Sequence, residues 1–242
     1  MNKYLQEYLD IQTTFSGSLR EQRKKRHDCL CQWAMREDEP LPVAREVSAF
    51  FKEYPRLSYG VPFARKIMLP CLREEFSSGA TELFSFLCAN PFGEGFTAEC
   101  FSSFCKQEDI TLLALSEELC RRAPCDDSLR RFWFDKMTNS LSYIVHELPL
   151  GLLDDEEAPF LKELLTKWSS VAESLGLDVG AQARAFHAVD DAWKEYLQGG
   201  ISGDVTRRFD EYLRQNGIEW ECFFSPCFWT FREKTDALPA DV

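Results

Sequence analysis

The stretch Asp126-Asp127-Ser128-Leu129-Arg130-Arg131-Phe132-Trp133-Phe134-Asp135-Lys136-Met137-Thr138-Asn139-Ser140-Leu141-Ser142-Tyr143-Ile144-Val145-His146-Glu147-Leu148-Pro149 decides the fold class. Its apolar side chains Leu129, Phe132, Trp133, Met137, Leu141, Ile144, Val145 and Leu148 recur at the 3.6-residue period of a helix with one face in a core. Asp126, Asp127 and Ser128 supply a start signal, and Pro149 stops the pattern.

The same period extends outward. Phe160, Leu161, Leu164, Leu165, Trp168, Val171, Ala172 and Leu175 form a second stripe, with Gly176 just past its end, where a left-handed backbone costs glycine least. A third runs from Asp178 through Phe186, Val189, Trp193, Tyr196 and Leu197 to Gly199-Gly200. A fourth uses Val205, Phe209, Tyr212 and Leu213 and stops at Asn216-Gly217. Upstream, residues 2–39 read as one helix or as two joined near Ser16-Gly17-Ser18, followed by helices near 42–54, 61–76, 80–89, 97–106 and 110–123. Leucine occurs 28 times against 15 for isoleucine and valine together, which favours helix because unbranched side chains lose less rotamer freedom there.

These patterns predict an all-α chain, an irregular antiparallel helical bundle. It reads as one helical domain over 1–242, divisible into N-terminal helices (1–124) and a C-terminal bundle (125–242). Pro55, Pro91, Pro124 and Pro159 fall near the period of helix-hairpin repeats, so an αα-superhelix is the alternative, although no side-chain signature recurs with them.

With 242 residues and 45% hydrophobic composition the chain has ample material for a core that needs neither disulfide nor metal. Its 28 basic and 40 acidic residues give a net charge of −12, which opposes broad nucleic-acid or anionic-membrane binding. The acidity is uneven: residues 1–75 hold 13 basic and 11 acidic side chains, and residues 76–242 hold 15 and 29. No leader pattern or long apolar run occurs, so a cytosolic setting with reduced thiols is expected for the ten cysteines.

Motifs with chemistry are few. Gly93-Glu94-Gly95-Phe96-Thr97-Ala98 fits a dinucleotide fingerprint, but the segment before it reads as helix where the fingerprint needs a strand, so a loop between helices is expected. The combination His27, Cys29 and Cys31 has zinc-ligand chemistry, yet at 100° per residue Cys29 points away from the other two. The pairs Cys100/Cys105, Cys120/Cys125 and Cys222/Cys227 lack the two-residue knuckle spacing. Buried free thiols and no cofactor are therefore expected. Acidic groups at Asp154, Asp155, Glu156 and Glu157 and at Asp190 and Asp191 could hold a divalent cation if they faced each other, the basis of a metal-dependent all-α enzyme as the runner-up. The first group also suits a helix start, and His187 with Asp191 reads as a solvated pair.

The leading expectation is a binding module for another protein: an adaptor, inhibitor or neutralising partner, with a basic protein favoured by the overall charge. Its candidate contacts are the basic run Arg20, Arg23, Lys24, Lys25 and Arg26, beside His27, and the aromatic tail, where Trp220, Phe224 and Trp229 are the anchors. The run reads otherwise as a solvated helix face or one docked on the chain's own acidic C-terminal region, and the tail reads otherwise as a C-terminal element closing the core. A nucleic-acid binder working through residues 20–27 is the third reading, handicapped by the acidic remainder.

Overall fold

A computed structural model describes residues 3–34, 44–54, 60–89, 93–147, 158–198 and 211–217. Among these every regular element is helical and no strand occurs, as the leucine-rich stripes require. The chain divides into two compact units, Met1–Trp133 and Phe134–Val242.

The first unit begins with a helical hairpin, α1 (Lys3–Thr13) and α2 (Leu19–Ala34), so the N-terminal pattern resolves into two helices. It continues through α3 (Ala44–Glu53), α4 (Val61–Phe63), a five-residue π segment (Ala64–Met68), α5 (Leu69–Ser78), α6 (Glu82–Ala89), α7 (Gly93–Glu108) and α8 (Leu112–Arg122), and the boundary falls within α9 (Asp127–Glu147). Side-chain caps show why the chain turns where it does. Asp126 Oδ1 accepts from the backbone N–H of Ser128 (2.9 Å) and of Leu129 (3.1 Å) and starts α9, and Thr111 Oγ1 accepts from Ala114 and starts α8.

The π segment breaks what the sequence pattern reads as one helix over 61–76. Pro70 has no N–H, and in a regular helix its ring would meet the carbonyl four residues back. The backbone widens instead, with the Leu69 N–H donating to the Ala64 carbonyl five residues earlier. Ala64, Ile67 and Met68 of that segment are buried.

Phenylalanines fill the core of this unit. Phe84 lies parallel to Phe101 (6.1 Å between centroids) and edge-on to Phe104 (5.3 Å). Phe76 meets Phe104 edge-on at 5.2 Å, Phe51 meets Phe63 edge-on at 5.9 Å, and Tyr8 brings α1 onto Phe63 at 5.0 Å. Tilted and edge contacts of this kind add about 0.5–1.5 kcal/mol each beyond the area they bury.

Glu75 is the acidic side chain inside this core, and it is buried. Gly79 ends α5 at φ 81° while Ala80 donates back to the Glu75 carbonyl, and the Glu75 carboxylate then accepts from the N–H groups of Leu83 (2.7 Å) and Phe84 (3.2 Å) at the start of α6. One residue thus closes α5 with its backbone and opens α6 with its side chain. Burial pushes its carboxyl above the ordinary range although those two donors pull the other way. Between α7 and α8, Asp109 takes the left-handed turn at φ 53°, and the Ile110 N–H closes onto the Cys105 carbonyl.

The described part of the second unit consists of the rest of α9, α10 (Ala158–Ser174), α11 (Gly180–Gln198) and a short helical turn over 211–215. Leu164, Leu165, Trp168, Val171 and Ala172 are buried as their stripe predicts, and the Trp168 indole stacks on Phe134 (5.6 Å) while donating to Thr138 Oγ1 (2.8 Å). Gly176, at φ 68°, ends the turn in which Leu177 donates to the Ala172 carbonyl. Phe186, Val189 and Trp193 are buried on α11, whereas His187 and Asp191 on its other side are exposed.

Two sequence expectations are corrected. Gly93–Ala98 is the opening of α7, where Phe96 is buried, and not a loop between helices; the pull of Phe96, Cys100, Phe101 and Phe104 into the core outweighs the helix cost of two glycines, about 1 kcal/mol each. Phe160, placed in the apolar stripe of α10, is 53% exposed, whereas Leu164 and Leu165 a turn further on are buried. Helix lengths from 3 to 21 residues, together with the π segment, give the described elements no constant hairpin module.

Candidate docking face on α2

The N-terminus of α2 is built by the four residues Ser18-Leu19-Arg20-Glu21. The Glu21 carboxylate accepts from the Ser18 N–H (2.9 Å) and hydroxyl (2.8 Å), while the Glu21 N–H reaches Ser18 Oγ at 3.3 Å. This reciprocal capping box fixes where α2 starts and holds the Glu21 carboxyl below its ordinary range, chiefly through the Ser18 backbone N–H. The box is a legible sequence pattern that the periodicity reading passed over.

One side of α2 faces the protein. Gln22 Nε2 lies 3.2 Å from the carbonyls of both Ile11 and Gln12, satisfying the end of α1. The half-buried Arg26 interacts with the Tyr8 hydroxyl. Cys29 is 4% exposed, and burial pushes its thiol up to about 12. Lys25 lies over the Phe15 ring at 4.5 Å and feels the Glu21 carboxylate.

The other side faces solvent. Arg20, Arg23, Lys24 and His27 are all exposed, and Leu19 beside them is 73% exposed. Among the described residues Arg20, Arg23 and Lys24 have no carboxylate partner, and His27 lies 3.6 Å from the Asp28 carboxylate. Side chains three and four apart on a helix are neighbours, so these cations repel one another at a cost of about 0.2–0.5 kcal/mol per pair.

Several cations elsewhere in the described structure are paired, while Lys52, Lys106, Arg131, Lys162, Arg184 and Arg214 are exposed singly on other elements and not in a row. Arg65 pairs with Glu99 and Arg73 with Glu108, each at 2.6 Å, both between helices. Arg121 and Arg122 both bind Glu118 at 2.7 Å and hold its carboxyl down at about 2. Arg122 also donates to the Phe76 carbonyl at 2.6 Å and lies over its ring. Arg130 pairs with Asp127, Lys167 with Glu163, and Lys194 with Asp190.

Of the other candidates, Asp190 is held by Lys194 at 2.6 Å and Asp191 is exposed, while Asp154 and Asp155 lie outside the described residues. Among the described residues no group of three histidine, cysteine or acidic side chains is placed to hold a metal ion. The divergence expected for the His27, Cys29 and Cys31 set is present: Cys31 Sγ is 3.6 Å from His27 Nε2, and Cys29 turns into the core. The tail anchors Trp220, Phe224 and Trp229 also lie outside the described residues. No described helix is long and apolar enough to cross a membrane.

The fold is all-α, and the exposed face of α2 carries a row of cations without a carboxylate partner among the described residues. No protein-family model, curated protein or solved structure matches the chain.

Proposed function

We propose that this protein is a protein-binding module and that it docks its partner on the exposed face of α2. The observation that carries the reading is the row of Arg20, Arg23 and Lys24, exposed and without carboxylate partners among the described residues, in a chain of net charge −12. Described acids of the same unit, Glu99, Glu108 and Glu118, pair with arginines outside α2 instead. A surface that weakens its own helix is expected where a partner completes it. This location narrows the charge argument: the contact on α2 suits a partner that presents acid, whatever the charge of that partner as a whole.

The test is affinity capture from the source cell with the full-length protein and with the triple variant Arg20→Glu, Arg23→Glu, Lys24→Glu, followed by binary binding of any partner recovered. The reading predicts a stoichiometric partner that is lost with the variant and whose association slows as salt rises. A partner bound equally by both proteins would place the interface elsewhere, and nucleic acid recovered in its place would replace the reading with nucleic-acid binding.

A further inference from the structure

The geometry points to an acidic amphipathic helix as the occupant of the α2 face, an inference that rests on the docking reading above. Leu19, Arg23, His27 and Cys31 succeed one another at four-residue steps and form one ridge, and Arg20 and Lys24 form the next. Neighbours along such a ridge are about 5–6 Å apart, and from Leu19 to Cys31 the face runs for about 18 Å. Ridges of this kind are what the grooves of a second helix accept. No described element is a strand, so pairing by strand addition has no template here.

Charge placement separates a polypeptide from a nucleic acid. A duplex presents about one phosphate per 1.7 Å of its axis without interruption. The exposed row Arg20, Arg23 and Lys24 is interrupted by the exposed Glu21, which follows Arg20, and is closed by the exposed Asp28 one turn beyond Lys24. A continuous polyanion would run into both, whereas carboxylates on a helix can be spaced to meet Arg20, Arg23 and Lys24 and then stop. Leu19, at 73% exposure, adds an apolar contact at the N-terminal end that a phosphate backbone leaves uncovered. The occupant is therefore a short helix with glutamate or aspartate at four-residue steps and an apolar side chain where it crosses Leu19.

The test uses the full-length protein, fluorescence anisotropy and a labelled peptide of about 16 residues with glutamates on one helical face and a leucine near one end. Two controls carry the same charge: the same peptide with a central proline, which breaks the helix, and a single-stranded oligonucleotide. The expected result is binding of the intact peptide at low salt. It should weaken at least tenfold for Arg20→Glu with Lys24→Glu, at least threefold for Leu19→Ser, and at least tenfold for the proline peptide. Because all three substituted residues are exposed, an unchanged melting temperature is required of each variant. Equal binding of the proline peptide would overturn the helical occupant. Equal or tighter binding of the oligonucleotide would overturn the polypeptide occupant, and failure of the peptide to bind would overturn both. A natural partner that depends on α2 but carries no acidic helix would leave the docking reading standing and this inference refuted; the absence of any α2-dependent partner would remove the docking reading itself.

Discussion

The α5–α8 core and the α2 helix belong to the same unit and obey opposite rules. In the core, Phe76, Phe84, Phe101 and Phe104 interlock, and nearby charges are paired or capped. On α2 Cys29 is buried, and Arg20, Arg23 and Lys24 stand exposed side by side. The core is what apolar burial alone would select. Helix α2 is held by its capping box and its grip on α1, and its outward face makes no ion pair to a carboxylate of another described helix.

That contrast makes the largest effects fall in the core. Phe84→Ala or Phe104→Ala should cost about 3–5 kcal/mol, because each removes a fully buried ring contacted by others. Equilibrium denaturation measures it, and a loss near 1 kcal/mol would mean that the core is no more committed than the surface. Trp168→Ala belongs to the same class in the second unit, since its indole is 2% exposed and hydrogen-bonded; Trp133, which its stripe also assigns to a core, is half-buried and should cost less.

Glu75 comes next. Glu75→Ala leaves the Leu83 and Phe84 N–H groups buried without their acceptor, at about 1–3 kcal/mol. Its pH signature is distinct. A folded carboxyl held above its unfolded value binds its proton more tightly in the native state, so Glu75 adds stability as pH falls from neutral toward the ordinary carboxyl range. Glu118 and Glu99, held low by arginines, contribute above the ordinary range and lose that contribution as pH falls further, for Glu118 toward about 2. Melting curves from pH 7 to pH 5 should therefore show the wild type gaining on Glu75→Gln, and parallel curves would disprove the assignment.

Smaller effects belong to α2. Ser18→Ala removes one half of the capping box and should cost about 1 kcal/mol. Neutralising Arg20, Arg23 and Lys24 together to glutamine should leave the melting temperature within about 2 °C, moving it upward if anything as like-charge repulsion is relieved. A large fall would show that α2 is held by its charges, and the contrast with the core would collapse.

The sequence by itself determined the class of this fold. Leucine-rich stripes at a 3.6-residue period, started by Asp126 and ended by Gly176, specify helices because capping and burial are local properties that need no knowledge of neighbours. It also marked Arg20 to Arg26 as a local departure from the overall acidity. What only tertiary structure decided is which groups find partners. Periodicity puts Phe160 and Leu164 in one stripe, but only the packing leaves the first exposed and buries the second. Nothing local to Glu75 says that its carboxylate will cap a helix eight residues on, and nothing local to Arg65 or Arg73 says that each will meet a glutamate more than thirty residues away. The basic run divides in the same way: Arg26 turns to Tyr8 and Lys25 to Phe15, leaving Arg20, Arg23 and Lys24 to solvent. Charge is written in the sequence, whereas its neutralisation depends on distances that exist only once the helices have packed.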